Sequence, residues 1–115
     1  PRSTLFPYTT LFRSGRNQEM ALSFLQELET SPAGIENIFF LSGATDGNDG
    51  PTDAAGAFAS QAVLEAGKKA GLNISEYLGR NDSYSYFDTA GHLFKPGPTN
   101  TNVCDLQILI VTFLS

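Results

Sequence analysis

The chain has no tryptophan, one cysteine, one histidine and one methionine, and few charges. Each shortage excludes something. A single thiol, Cys104, cannot form an internal disulfide, so the fold does not rest on cross-links, as expected in a reducing, cytoplasmic setting. The lone His92 has no second imidazole or cysteine pair at metal-ligand spacing, and Cys104 stands in no nucleophile or zinc motif. Both read as structural. Seven basic against twelve acidic side chains leave a formal charge of −5, which offers no basic field for a nucleic-acid backbone. The longest apolar run, 106–114, is interrupted by Gln107 and Thr112 and is too short to span a bilayer. No stretch reads as a signal peptide, and none of the repeat lengths of solenoid proteins occurs. What is present is a chain of 115 residues, 41% hydrophobic, with eleven glycines, enough for one folded domain.

The first fourteen residues differ in character from the rest. They show neither helical nor strand periodicity, and Thr4 to Ser14 match, residue for residue, the translation of a common sequencing-library adapter. Residues 1–14 are therefore read as a non-native peptide and 15–115 as the domain, with its native start missing. Setting aside Arg2 and Arg13 takes the formal charge from −5 to −7.

From Asn17 to Glu29, Met20, Ala21, Phe24, Leu25 and Leu28 recur at helical spacing, and Pro32 and Gly34 follow, so a helix is expected. The unbroken run Ile38-Phe39-Phe40-Leu41 predicts a short strand buried on both faces. Residues 43–52, rich in Gly, Asp and Asn, predict a loop. The Ala-rich segment 53–59 reads as the start of a helix capped by Thr52 or Asp53 and continuing over 60–70. Two short helices are expected over 74–78 and 83–89, the second capped by Asp82, with Tyr84, Tyr86 and Phe87 packing on the core. A closing strand is expected over about 106–113. This order predicts an α/β fold, a mixed, mostly parallel sheet flanked by helices. Gly-Pro-Thr occurs at 50–52 and again at 97–99, in two loops that such a sheet can bring to one end.

Several side chains carry potential chemistry. Asp46 and Asp49 lie on one Gly-rich turn, where they either face a hard cation such as Mg²⁺ or accept backbone N–H bonds of the turn; the spacing leaves both open. An EF-hand is excluded, because Gly50 and Ala57 stand where oxygen ligands are required. Gly43, Gly47 and Gly50 fit neither the Walker loop nor the dinucleotide fingerprint, yet such a turn exposes backbone N–H groups to an anion, and a following helix would add its positive end. Arg16 beside Asn17 can hold a phosphate or carboxylate with paired hydrogen bonds, or simply be solvated.

Four ordered blocks, Gly15-Arg16-Asn17-Gln18-Glu19, the run from Thr45 to Ala57, Asn81-Asp82-Ser83-Tyr84, and the run from Gly97 to Val103, together resemble the MOFRL domain, the C-terminal domain of glycerate 2-kinases. The resemblance covers nearly all of 15–111. It implies transfer of the ATP γ-phosphoryl group, with Mg²⁺, to the 2-hydroxyl of D-glycerate, in a cleft whose other wall is a missing N-terminal domain, so that the piece alone is inactive. By position it implies Arg16 and Asp46 as catalytic residues, and Asn17, Thr45, Asp49, Thr52, Thr99 and Asn102 as substrate or nucleotide contacts, with Asp46 and Asp49 as metal ligands. Neither nucleic acid nor membrane enters this picture. Bacterial relatives are often labelled hydroxypyruvate reductases, and a non-catalytic α/β binding module is a further alternative. Two departures stand out: the strand and extra Gly usual before Gly15 are replaced by the adapter-like peptide, and Asn100 stands where Gly is common, a residue that tolerates positive φ.

Overall fold

A computed structural model of the chain describes residues 15–30, 37–45, 47, 53–97 and 105–112. Helix α1 (Arg16–Thr30) leads into strand β1 (Ile38–Ala44), followed by β2 (Gly56–Ser60) and α2 (Gln61–Lys69). Two short helices, α3 (Ile74–Gly79) and α4 (Ser83–Ala90), precede β3 (Leu93–Phe94) and β4 (Asp105–Val111). The strands form one sheet in the order β3-β2-β1-β4.

Every strand pair is antiparallel, which corrects the expectation of a mostly parallel sheet. The error has a local source. The Ala-rich segment read as a helix start is β2, paired with β1 from Phe39↔Ser60 to Gly43↔Gly56. Gly56, Ala57 and Ala59 are small because α1 and the neighbouring strand leave no room. A Cβ on Gly56 would stand 1.8 Å from the Ser42 carbonyl oxygen. Ala57 and Ala59 are fully buried. The helix begins only at Gln61, with Ser60 in extended geometry at its N-cap.

The helices cover one face of the sheet. Ala21, Leu22, Leu25 and Leu28 of α1 are buried against Phe40, Ala57 and Ala59, and Phe24 stacks on Phe40 with ring centroids 4.3 Å apart. Val63, Leu64, Ile74, Tyr86 and Phe87 complete this core. Met20, expected inside, is half exposed. Asn73 caps α3 by accepting the Glu76 N–H at 3.0 Å, whereas Asp82, at the N-cap position of α4, makes no side-chain cap bond.

The other face carries Phe39, Phe58, Leu106, Ile108 and Ile110, all exposed among the described residues, so β1 is covered on one side rather than two. Leu109 and Val111, which point to the helical side, are also exposed because that layer stops short of β4. The edge of β4 away from β1 has no partner among the described residues. No described helix is long and apolar enough to cross a membrane.

Candidate functional site

Antiparallel pairing decides which segments share an end of the sheet. The register matches Ala44 with Asp105, Gly43 with Gly56, and Gly56 with Phe94. The end of β1, the start of β2, the end of β3 and the start of β4 therefore lie side by side. The segment 45–55, with the first Gly-Pro-Thr, and the segment 95–104, with the second, both leave from this end. Sequence reasoning expected a helix N-terminus after the glycine-rich turn; a strand follows instead. The helix start found at this end belongs to α1.

Side chains pin that start in place. Arg16 Nε donates to Asp105 Oδ2. Ser42 Oγ donates to Asn17 Oδ1 at 2.7 Å, and Gln107 Nε2 donates to Ser42 Oγ at 3.3 Å. One polar chain thus crosses α1, β1 and β4, with Asn17 and Ser42 fully buried. Paired polar groups in such a position fix geometry, since leaving one unpaired costs more than the bond returns. The hydrogen bond from Arg16 holds the Asp105 carboxyl below its ordinary value of 3.8; burial opposes this and a bond from Asn17 adds to it. Arg16 itself remains 79% exposed.

Thr45 begins the turn after β1. The Gly47 N–H reaches back to the Ala44 carbonyl at 3.1 Å, and Gly47 adopts φ +89°, a conformation open to glycine and strained for other residues. Of the site residues expected from sequence, Arg16, Asn17 and Thr45 are described and stand at this one end, Asn17 turned inward. Asp46, Asp49, Thr52, Thr99 and Asn102 lie outside the described residues, as does Cys104. His92 uses its backbone, accepting from the Phe58 N–H at 3.2 Å. Among the described residues no cluster of three His, Cys, Asp or Glu is placed to hold a metal ion.

Sequence reasoning missed Ser42, Asp105 and Gln107, whose strand positions carry no motif. It also missed a group at the far side of the same end. Tyr84 Oη donates to Asp53 Oδ1 at 2.9 Å, Lys95 Nζ approaches Asp53 Oδ2 at 3.3 Å, and the ammonium lies 5.8 Å from the Tyr84 ring centre. The hydrogen bond from Tyr84 is the main cause of a lowered Asp53 pKa, and the bonds to Asp53 raise those of Tyr84 and Lys95. Asp53 belongs to the long sequence block, and Lys95 stands two residues before Gly97.

The MOFRL family model matches residues 9–105, most of the chain. The chain belongs to the MOFRL family. Among its relatives, the human glycerate kinase is 43% identical over 102 residues, covering 86% of this chain and 20% of the human protein. The D-glycerate 2-kinase of Thermotoga maritima is 45% identical over 97 residues, covering 84% and 22% respectively. The crystal structure of a glycerate kinase from T. maritima superposes with a TM-score of 0.77 at 44% identity, over 85% of this chain and 23% of that one. A Pyrococcus horikoshii protein gives a TM-score of 0.79 at 32% identity, over 93% and 23%. This MOFRL chain thus spans about a fifth to a quarter of the length of these relatives.

Proposed function

We propose that the chain is the C-terminal part of a glycerate 2-kinase and forms one wall of the pocket in which the ATP γ-phosphoryl group passes to the 2-hydroxyl of D-glycerate. The observation that carries this reading is the convergence at one sheet end of the α1 start, with Arg16, and the two segments bearing Gly-Pro-Thr. Relatives named glycerate kinases favour the kinase over the reductase reading.

The donor set at this end fits a nucleotide triphosphate and its cation. It combines an exposed guanidinium, the Thr45 hydroxyl, a glycine turn with Gly47 at positive φ, and the carboxylates of Asp46 and Asp49 nearby in the chain. ATP supplies the transferred group, and Mg²⁺ spreads its charge. The chain's own contribution is placement. Asp105 holds Arg16 at Nε, so the guanidinium stands at the wall to bind a phosphate or the glycerate carboxylate. Asn17, bonded to Ser42, fixes the helix start from which Arg16 projects. Asp46 and Asp49 would hold the metal, and Thr52, Thr99 and Asn102 would line the pocket. With a single wall the chain alone is inactive, because positioning provides much of the rate enhancement.

The test is ADP release by the intact polypeptide read from the DNA upstream of Gly15, with ATP, Mg²⁺ and D-glycerate. Turnover to 2-phosphoglycerate is expected, and Asp46→Ala should lower kcat by about 100-fold or more. Hydroxypyruvate reduction without ATP consumption would instead establish the reductase reading.

A further inference from the structure

A single group of side chains joins the residue that follows the first Gly-Pro-Thr to one that shortly precedes the second. Asp53 is the first residue after Thr52, and Lys95 the first after β3, two before Gly97. The two are joined through separate oxygens of one carboxylate, Oδ1 taking the Tyr84 hydroxyl and Oδ2 the Lys95 ammonium. Tyr84 projects from the first turn of α4, a helix whose Tyr86 and Phe87 are fully buried. The contact therefore ties two loop bases to a rigid element.

The sheet alone holds this corner weakly. β3 contributes two ladder pairs, Gly56↔Phe94 and Ala57↔Leu93. Among the described residues the Phe58 N–H to His92 carbonyl bond, 3.2 Å, adds one link beside them, and toward β1 the Ala55 N–H to Phe94 carbonyl and Ala44 N–H to Ala55 carbonyl bonds, both 2.8 Å, continue the backbone links. A segment leaving a two-residue strand has little to set its direction, and an exposed ion pair by itself adds little stability. Two groups meeting at one carboxylate set a direction even where they add little stability.

We propose that Asp53, Tyr84 and Lys95 form a clasp that fixes the chain just after the first Gly-Pro-Thr relative to the chain just before the second, making these three positioning residues of the pocket. None of them needs to touch substrate. The role in turnover rests on the kinase reading above; the clasp as a structural device does not.

Two measurements separate these. In the 115-residue chain, hydrogen exchange should quicken roughly threefold to tenfold across 53–57 and 93–97 in Asp53→Asn and in Lys95→Met, while α1 amides stay unchanged. Asp53→Glu should restore protection, and high salt should loosen the wild type toward the variants. Unchanged exchange in both variants overturns the clasp. In the intact enzyme, Asp53→Asn and Tyr84→Phe should each lower kcat roughly tenfold to a hundredfold at an unaltered melting temperature, and the double variant should be no worse than the single ones. Wild-type kcat in both, or losses that multiply, overturns the positioning role while leaving the kinase reading intact. An intact enzyme that fails to phosphorylate glycerate defeats the kinase reading instead, and the exchange data then decide the clasp alone.

Discussion

Replacing Gly67 by alanine should destabilise the fold, against the usual rule for a glycine inside a helix. Gly67 lies buried in α2 where the helix meets α4, and a Cβ there would stand 2.0 Å from Tyr86 Oη and 2.7 Å from Cζ. The phenol cannot swing aside, because its ring is fully buried and packs edge-on against Tyr77 and Phe87, with centroids 5.8 and 5.5 Å away. Alanine gains about 1 kcal/mol in helix propensity, while forcing a methyl into a packed contact costs about 1–3 kcal/mol. With contacts this short the cost lies toward the upper figure, so a net loss of about 1–2 kcal/mol is expected. In a domain of this size that lowers the melting temperature by roughly 5–10 °C. Gly79 is the control. It ends α3, and a Cβ there meets nothing within 4 Å, so Gly79→Ala should be neutral or slightly stabilising. Tyr86→Phe removes the nearest atom but not Cζ, so Gly67→Ala should cost less, but still something, in that background. Urea unfolding of the four variants reads all of this. A Gly67→Ala variant as stable as the wild type would refute the described packing of α2 on α4.

Three further outcomes follow from single groups. Burial, aided by Glu29, pushes the Tyr86 hydroxyl up from 10.0 to about 12, so the neutral phenol stabilises the fold at neutral pH. That contribution is lost as pH rises through about 12; alkaline unfolding followed by ultraviolet absorbance should show it, and Tyr86→Phe should remove this phase. Asp105 is shifted the other way by Arg16, so its contribution is full above 3.8 and is lost as pH falls through its lower folded value; Asp105→Asn should flatten the acid limb of the stability curve. Asn73→Ala removes the cap on α3 and should cost about 0.5–2 kcal/mol, measured by urea unfolding.

The amphipathic α1 was legible because Leu25 and Leu28 recur at the period of a helix laid on a sheet, although Leu22 completes the buried stripe and Met20 does not. α3, α4 and β4 carried comparable signals. β2 did not. Alanine favours helices in isolation, and it is the crowding beneath α1 and beside the Ser42 backbone that suits the small Gly56, Ala57 and Ala59 to a strand. Missing β2 turned a β1–β2 antiparallel pair into an imagined strand-to-helix turn, and hence the sheet into a parallel one. The apolar run of β1 suggested cover on both faces, yet Phe39 is 46% exposed because the described residues supply one layer. β3, at two residues, is too short for any periodicity. At the site, the blocks carrying Arg16, Thr45 and Gly97 stood out by their resemblance to the MOFRL domain. Ser42, Gln107 and the Asp53–Tyr84–Lys95 group did not, since their partners lie 25 to 65 residues away along the chain and only the register brings them together.

The proposed function requires that the sheet end from which the α1 start and both Gly-Pro-Thr segments leave handles phosphate. Titrating the isotope-labelled chain with ATP and Mg²⁺ while following its amide resonances tests this most directly. Shifts concentrated at 15–18, 43–45, 47, 94–97 and 105, and weakened by Arg16→Ala, are expected. Shifts confined to the opposite end of the sheet, around Ile38, Ser60 and Val111, would overturn it.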